Sequence, residues 1–343
     1  MYIICALLLL NVLVIAHEGG HFWAARLCGI EVEEYAVGMG PLLFQRVTKR
    51  NTKISLRLFP IGGYCMFYDE DTDGDSELSF NRKPAWKRLI TVLSGPGMNF
   101  LVAFLAIVIY LSAFGLNSTV NRVAAVEPNA AQAGLLVCDT ITAVNGQKTS
   151  SAADISSAIM QSEGEAITLT VDRKGEEQTL SISPFFDSEL DRWRVGFTFG
   201  QERVRLSLLK SIPFSVSYNM ESATVIVDTL RGLISRGDGV DEVTGPVGTV
   251  YVISEVTKEG GIDIVFELLA LISVNLGIMN LLPIPGLDGS RILFLLVEMI
   301  RRKPINRELE GRIHMIGFAL LMALMFLLTY KDILRISTGF FGR

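Results

Sequence analysis

The chain opens on a single apolar run, Tyr2 to Cys28, and inside it stand three side chains that lipid ordinarily excludes: His17, Glu18 and His21. About 20 apolar residues cross a hydrocarbon core of about 30 Å, and there every backbone N–H and C=O must be paired within the segment, so the run has to be helical. Three further stretches meet the same requirement: Leu89 to Leu116, Ile264 to Leu282 with a broken extension to Ile300, and Ile313 to Tyr330. The pattern predicts a polytopic α-helical membrane protein of about four transmembrane helices. A mean hydropathy of +0.40 with 50% hydrophobic and 20% charged residues excludes an ordinary soluble protein and a chain immersed throughout in lipid, so membrane and aqueous segments alternate. The first span lacks a basic start and a convincing small-residue cleavage site, and is expected to remain in the mature chain.

Ionisable groups inside a membrane helix are costly and therefore point to function. His17-Glu18-Gly19-Gly20-His21 places two imidazoles four residues apart, on one helical face, where both can aim a nitrogen at one metal ion. This is the H-E-x-x-H arrangement of zinc hydrolases, with Glu18 placed to take a proton from water and return it to a leaving amine. The competing reading is that each histidine merely bonds a backbone carbonyl. A catalytic zinc also needs a third protein ligand. The chain has three histidines, and His314 opens the last apolar stretch beside Arg312, where it reads as interfacial. That favours a carboxylate, and Asp288 is the candidate. It follows Pro283 and Pro285, which must break the third span, and precedes the apolar Ile292 to Val297. By itself Asp288 reads more readily as the N-cap of the restarted helix; beside the histidine pair the ligand reading prevails.

Basic residues cluster between spans one and two (Arg26, Arg46, Lys49, Arg50, Lys53, Arg57, Arg82, Lys83, Lys87, Arg88) and between spans three and four (Arg301, Arg302, Lys303, Arg307). Both loops are expected in the cytoplasm, which leaves both termini and the central segment outside. Spans one and three then run the same way, and His17 and Asp288 both fall late in them, nearer the cytoplasmic face. Glu33 to Gly63 reads as a β-hairpin with a glycine-rich rim, from Gly38-Met39-Gly40-Pro41 and the strict alternation of Ile54-Ser55-Leu56-Arg57-Leu58. The acidic run Asp69 to Glu77 reads as a solvated loop, and the net charge of -5 says little about partners. The four scattered cysteines have no zinc-site or disulfide spacing and read as small buried residues. Leu206 to Ile234 is apolar on one face yet too polar to span. It fits an amphipathic helix on the membrane surface or a helical core beneath the central module.

With His17-Glu18-Gly19-Gly20-His21 in the first span and Asn280-x-x-Pro283-x-x-x-Leu287-Asp288-Gly289 after a later one, the chain resembles the site-2 protease family of intramembrane zinc metalloproteases. The central segment, through Ala130 to Leu135, Asp139 to Gly146, a helix over Ala153 to Gln161 and the alternating Ile167 to Val171, is similar to one PDZ domain and points to the bacterial regulator-of-sigma-E protease branch. The resemblance implies zinc held by His17, His21 and Asp288, water activated by Glu18, and Asn275 and Asn280 facing the site to hold a substrate strand. It also implies a hairpin that dips into the bilayer on the cytoplasmic side, where Ile54, Leu56 and Leu58 could pair with an extended substrate or serve structure alone. Ser290-Arg291 departs from the Gly-His of some relatives, which affects local substrate contacts only.

The domain division expected is 1–118 with the first two spans and the hairpin, 119–200 as the PDZ domain, 201–262 as surface helix and gate, and 263–343 with the last two spans. Implied partners are the lipid bilayer and single-pass membrane proteins, such as a trimmed anti-sigma factor or a remnant signal peptide, with no nucleic acid. The PDZ domain would bind peptides or act as a size filter. Trp193 to Phe197 either completes its groove or forms an ordinary last strand. A PDZ scaffold without catalysis leaves the four-residue set unexplained, and a metal transporter would show internal repeats, which this chain lacks.

Overall fold

The computed structural model describes residues 1–69, 77, 79–188, 191–237, 239, 243–303 and 305–338. Most of the expected acidic loop, residues 70–76, lies outside them. The chain divides into two compact units, one made of the residues before Leu111 and after Leu206, the other of Leu111–Leu206 inserted between them. Among the described residues, four helices are long and apolar enough to cross a membrane: Tyr2–Cys28, Ala85–Phe114, Ile262–Leu281 and Glu308–Ser337.

In the first unit, α1 (Tyr2–Cys28) ends at Gly29, whose φ of 72° turns the chain out of the helix. The next two strands, β1 (Val32–Val47) and β2 (Lys53–Phe67), are too long to stay straight. Gly38 and Gly40, at φ 83° and 85°, bend β1 back on itself, and Gly62 does the same for β2. The hairpin thus becomes four rows, antiparallel except that Glu34 to Val37 runs in parallel register with Lys53 to Leu56. Glu34 to Val37 pairs on one side with Gly63 to Met66 and on the other with Lys53 to Leu56, which in turn pairs with Phe44 to Val47. Helix α2 (Ala85–Ile109) continues into a π turn over Tyr110–Phe114, the end of the second span.

The inserted unit holds β3 (Leu116–Val126), α3 (Pro128–Gln132), β4 (Thr140–Val144), β5 (Gln147–Lys148), α4 (Ala152–Gln161), β6 (Ile167–Arg173), β7 (Glu176–Ile182), β8 (Phe185–Asp187), β9 (Arg192–Arg194) and β10 (Phe197–Val204). Its sheet runs β10-β3-β4-β6-β7, with β5 beside β4, and β8 pairs with β9. Strand β10 is therefore an edge. Asn145 and Gly146, both at positive φ, make the two-residue turn from β4 to β5. Helix α4 starts on a capping box, with Ser151 accepting from the Asp154 N–H and Asp154 reaching back. Val123, Leu135, Ile141, Ile155, Leu169 and Val171 form a core at 0% exposure.

The first unit resumes with α5 (Leu208–Arg236), α6 (Pro246–Glu259), α7 (Ile262–Leu281), α8 (Asp288–Arg301) and α9 (Arg307–Ser337). Helix α5 contacts α2 and α7. It buries Ser211 and Ser215 and exposes Leu209, Met220 and Ile234. Ile253 of α6 packs with Ala6, Leu9 and Leu13 of α1. The N-terminus of α6 is held by α9. Buried Asp332 accepts the N–H groups of Gly245 and Gly248 at 3.1 and 2.8 Å, and Arg335 donates to the Val243 carbonyl. The four cysteines form no disulfide; Cys28 is buried as expected, whereas Cys5 and Cys138 are exposed.

One ion pair inside the inserted unit has a consequence for its stability. Asp139, 2% exposed, accepts two bonds from Arg173 at 2.8 and 2.7 Å and one from the Leu136 N–H at 2.9 Å. The Arg173 guanidinium, helped by that N–H, holds the carboxyl below its ordinary range. A carboxyl lowered in the folded state stabilises fully above its unfolded pKa of about 3.9 and loses that contribution as pH falls through its folded value. The urea midpoint of this unit, read from Trp193 fluorescence after Trp23→Phe and Trp86→Phe, is expected to drop below about pH 4. In Asp139→Asn the midpoint should already be lowered at pH 7, corresponding to about 2 kcal/mol of lost stability, and depend less on pH.

Candidate metal centre

His17 and His21 lie one turn apart on α1, 7% and 6% exposed, with their Nε2 atoms 3.2 Å apart. Asp288 Oδ2 is 3.0 Å from the first and 3.3 Å from the second. Among the described residues this is the one group of three or more such side chains close enough to hold a metal ion. A tetrahedral zinc with bonds of about 2.0–2.1 Å separates its ligands by about 3.3 Å, which matches this triangle.

The protonation pattern agrees. His21 Nδ1 stands 2.9 Å from the Thr91 carbonyl, which can only accept, so Nδ1 carries the proton and Nε2 presents a lone pair. Asp288 Oδ2 is buried without a hydrogen-bond donor. A carboxylate oxygen and an imidazole lone pair converging in a buried space repel unless a cation lies between them. The donor set therefore fits zinc.

Helix α2 supplies the surroundings through Thr91, Gly95 and Asn99, four residues apart on one face. Any Cβ at Gly95 would overlap the His21 ring, and one at Gly20 would overlap the Ser94 carbonyl. The two helices cross so closely because both positions lack side chains. Ser94 Oγ adds a bond to the Gly20 carbonyl at 2.9 Å. The Asn99 amide is 3.1 Å from His17 Nδ1, and its Oδ1 is buried without a partner when the nitrogen faces the ring. Turning the amide over lets that oxygen accept Nδ1–H and gives both histidines the same tautomer.

Asp288 arrives on a different device. Helix α7 ends at Leu281, Pro283 and Pro285 prevent its continuation, and Gly286 turns the chain at φ 97°. Asp288 is then the first residue of α8, whose N-cap is Leu287 with no side-chain capping bond. The N-cap alternative for Asp288 is thereby excluded. Arg88 of α2 and Glu298 of α8 form an ion pair that joins these two helices.

Glu18 faces the last row of the hairpin. Its carboxylate takes a hydrogen bond from the Cys65 backbone, and Gly63 is close enough that a Cβ there would meet Val14 and Glu18 at 3.5 and 3.7 Å. Tyr35 fastens the sheet to α1 by donating to the Ile15 carbonyl at 2.9 Å.

Of the substrate-contact candidates, Asn280 comes within 3.5 Å of His17 Nδ1, while Asn275 is exposed on α7. The expectation of an open edge needs correction at Ile54 and Leu56, because Lys53 to Leu56 already has strands on both sides. The row next to α1 is Gly63 to Met66. The alternation was read correctly, but the backward bends at Gly38 and Gly40 turn what would be an edge into an interior row. Sequence reasoning also missed Thr91 and Asn99, whose signal was polar residues eight apart in an apolar span.

The model of peptidase family M50 matches residues 5–324. The chain is 34% identical over 341 residues to a Fusobacterium nucleatum protein, covering 97% of this chain and 98% of that one. It is 28% identical to the regulator of sigma-W protease RasP of Bacillus subtilis, with 97% and 98% covered, and 32% identical to the zinc metalloprotease RasP of Shouchella clausii, with 94% and 96% covered. With a triangle of side chains that could hold a metal ion on the page, these matches identify the chain as a member of peptidase family M50, the site-2 proteases, and as a zinc metalloprotease.

Proposed function

We propose that this protein hydrolyses peptide bonds within the membrane-spanning segments of single-pass proteins, with His17, His21 and Asp288 as zinc ligands and Glu18 as general base. The observation that carries the reading is the triangle of Nε2, Nε2 and Oδ2 atoms 3.0–3.3 Å apart, with Glu18 on the same turn of α1. Bound zinc supplies the Lewis acidity that makes water nucleophilic near neutral pH. Glu18 takes the proton released by the attacking water and delivers it to the departing amine nitrogen. The Cys65 backbone bond keeps the Glu18 carboxylate turned to one side. Thr91 and Asn99 hold the two imidazoles in the tautomer that frees Nε2.

A helical substrate hides its carbonyls, so cleavage requires an extended stretch. The row Gly63 to Met66, beside Glu18 and paired on one side with Glu34 to Val37, is suited to pair with such a stretch. The basic loops favour a cytoplasmic site, with both termini and the inserted unit outside.

We read the inserted unit as a PDZ domain. Supporting this are the free edge of β10 and an opening of about 280 Å3 between α4 and β10, lined by Ile159, Met160, Val195, Phe197 and Phe199. An apolar peptide end fits there. One relative acts, by its name, as a regulator of sigma-W protease, so a membrane-bound anti-sigma factor is the substrate class we favour here.

Three outcomes test these roles. Glu18→Gln should keep zinc and lose cleavage by a factor of at least about 10² to 10⁴, whereas Asp288→Ala should lose zinc itself, both read by metal analysis after dialysis. A wild type that binds zinc without cleaving any membrane peptide would indicate transport, and one that binds none, a scaffold. Asn99→Leu should weaken zinc binding about 10- to 100-fold in a chelator competition, with Asn99→Asp closer to wild type. Met160→Glu should abolish binding of peptides with apolar C-termini while leaving cleavage of short transmembrane peptides intact. Unchanged peptide binding would remove the α4 groove from recognition.

A further inference from the structure

His314 takes no part in the metal triangle, yet it touches the segment that presents Asp288. The Gly286 N–H, two residues before Asp288, donates to His314 Nδ1 at 3.3 Å. An accepting Nδ1 is unprotonated, so the proton of the neutral ring sits on Nε2. That nitrogen is buried, without a hydrogen-bond partner among the described residues, and looks toward Glu310 Oε1 at 3.9 Å. The ring also stands edge-on to Phe294 of α8, with centroids 5.7 Å apart. Thus one side chain of α9 meets both the loop before Asp288 and the helix after it.

Two more residues on the same face of α9 complete the contact. Gly317 and Leu321 follow His314 by three and seven positions, which places all three in one row. A Cβ at Gly317 would overlap Pro285, and one at Gly286 would stand 3.1 Å from Leu321 Cδ1. The other backbone bonds at this turn are local, Ile284 N–H to the Leu282 carbonyl and Leu287 N–H to the Ile284 carbonyl. Local bonds shape the turn but do not set its distance from α1. Two contacts beyond the turn bear on that distance, the packing of α8 on α2 through Arg88 and Glu298 and the seating of Pro285 and Gly286 on α9.

We infer that His314 is a positioning residue for Asp288, its neutral imidazole accepting the Gly286 N–H so that the Pro285–Gly286 turn seats on α9 and Oδ2 reaches the two histidines. The inference rests on the reading of Asp288 as a zinc ligand. A metal site tolerates little looseness in its ligands, and partners one shell out typically change affinity by about 10- to 100-fold.

The test is a chelator competition for zinc on the full-length protein in detergent. Asparagine places an oxygen near the position of Nδ1, so His314→Asn should stay within a few-fold of wild type, whereas His314→Leu should lose about 10- to 100-fold in zinc affinity. Gly317→Ala, which displaces Pro285 without touching the imidazole, should show the same loss, and Leu320→Ala, 66% exposed beside it, should show none. At saturating zinc, His314→Leu should keep the wild-type KM. Wild-type zinc affinity in His314→Leu would overturn the inference, as would His314→Asn falling as far as His314→Leu. Asp288→Ala, measured in parallel, separates the two levels. If it retains zinc, the ligand assignment fails; if it loses zinc while His314→Leu does not, only the role of His314 falls.

Discussion

Two imidazole nitrogens and a carboxylate oxygen meet within 3.3 Å in a site that excludes most water, and the architecture around them is organised to make that meeting possible. Unpaired, such groups would cost several kcal/mol and the helices would part or the groups protonate. The cost is offset in part by directing neighbouring polar atoms of the site elsewhere. Nδ1 of His21 goes to a carbonyl of α2, the Asn99 amide goes to His17, and Glu18 is drawn to the hairpin. The two Nε2 atoms and Asp288 Oδ2 are left facing one point, where they could hold a cation.

Close approach of backbones is the means. α1 and α2 lie against each other through Gly20 and Gly95, positions where any Cβ would strike a carbonyl or the His21 ring. In lipid, small residues at a crossing gain packing that the hydrophobic effect cannot supply between helices. The same crossing brings Thr91 and Asn99 within reach of the two histidines. Packing and chemistry are therefore one feature of these helices, and a change that loosened the crossing would also release the imidazoles.

The spans and the shared face of His17 and His21 were legible because their causes are local: apolar length, helical periodicity and a four-residue spacing. The inserted unit was equally plain, since Asn145-Gly146 and the alternation of Ile167 to Val171 encode a turn and a strand by themselves. Less could be read where distant segments decide the outcome. Ile54 to Leu58 alternates like an edge strand, yet the bends at Gly38 and Gly40 enclose Ile54 and Leu56 between two neighbours. His314 looked interfacial because nothing near it in sequence announces Gly286. Thr91 and Asn99 lie in a span whose apolar composition hid their purpose.

Two carboxylates of this chain separate function from architecture inside a membrane protein. Asp288 and Asp332 both stand at the ends of apolar segments, and cost alone marks each as a functional candidate. Asp332, at 0% exposure, is satisfied by the N–H groups of Gly245 and Gly248 at the positive end of α6, so its charge is balanced by protein and its work is to hold two helices together. Asp288 begins a helix as well, but it caps nothing, and its Oδ2 meets only imidazole nitrogens whose lone pairs it should avoid. The distinction is one of remaining valence. A buried anion whose donors are all supplied by its own chain is structural, whereas one left with an unanswered oxygen toward a shared point needs something the chain does not contain.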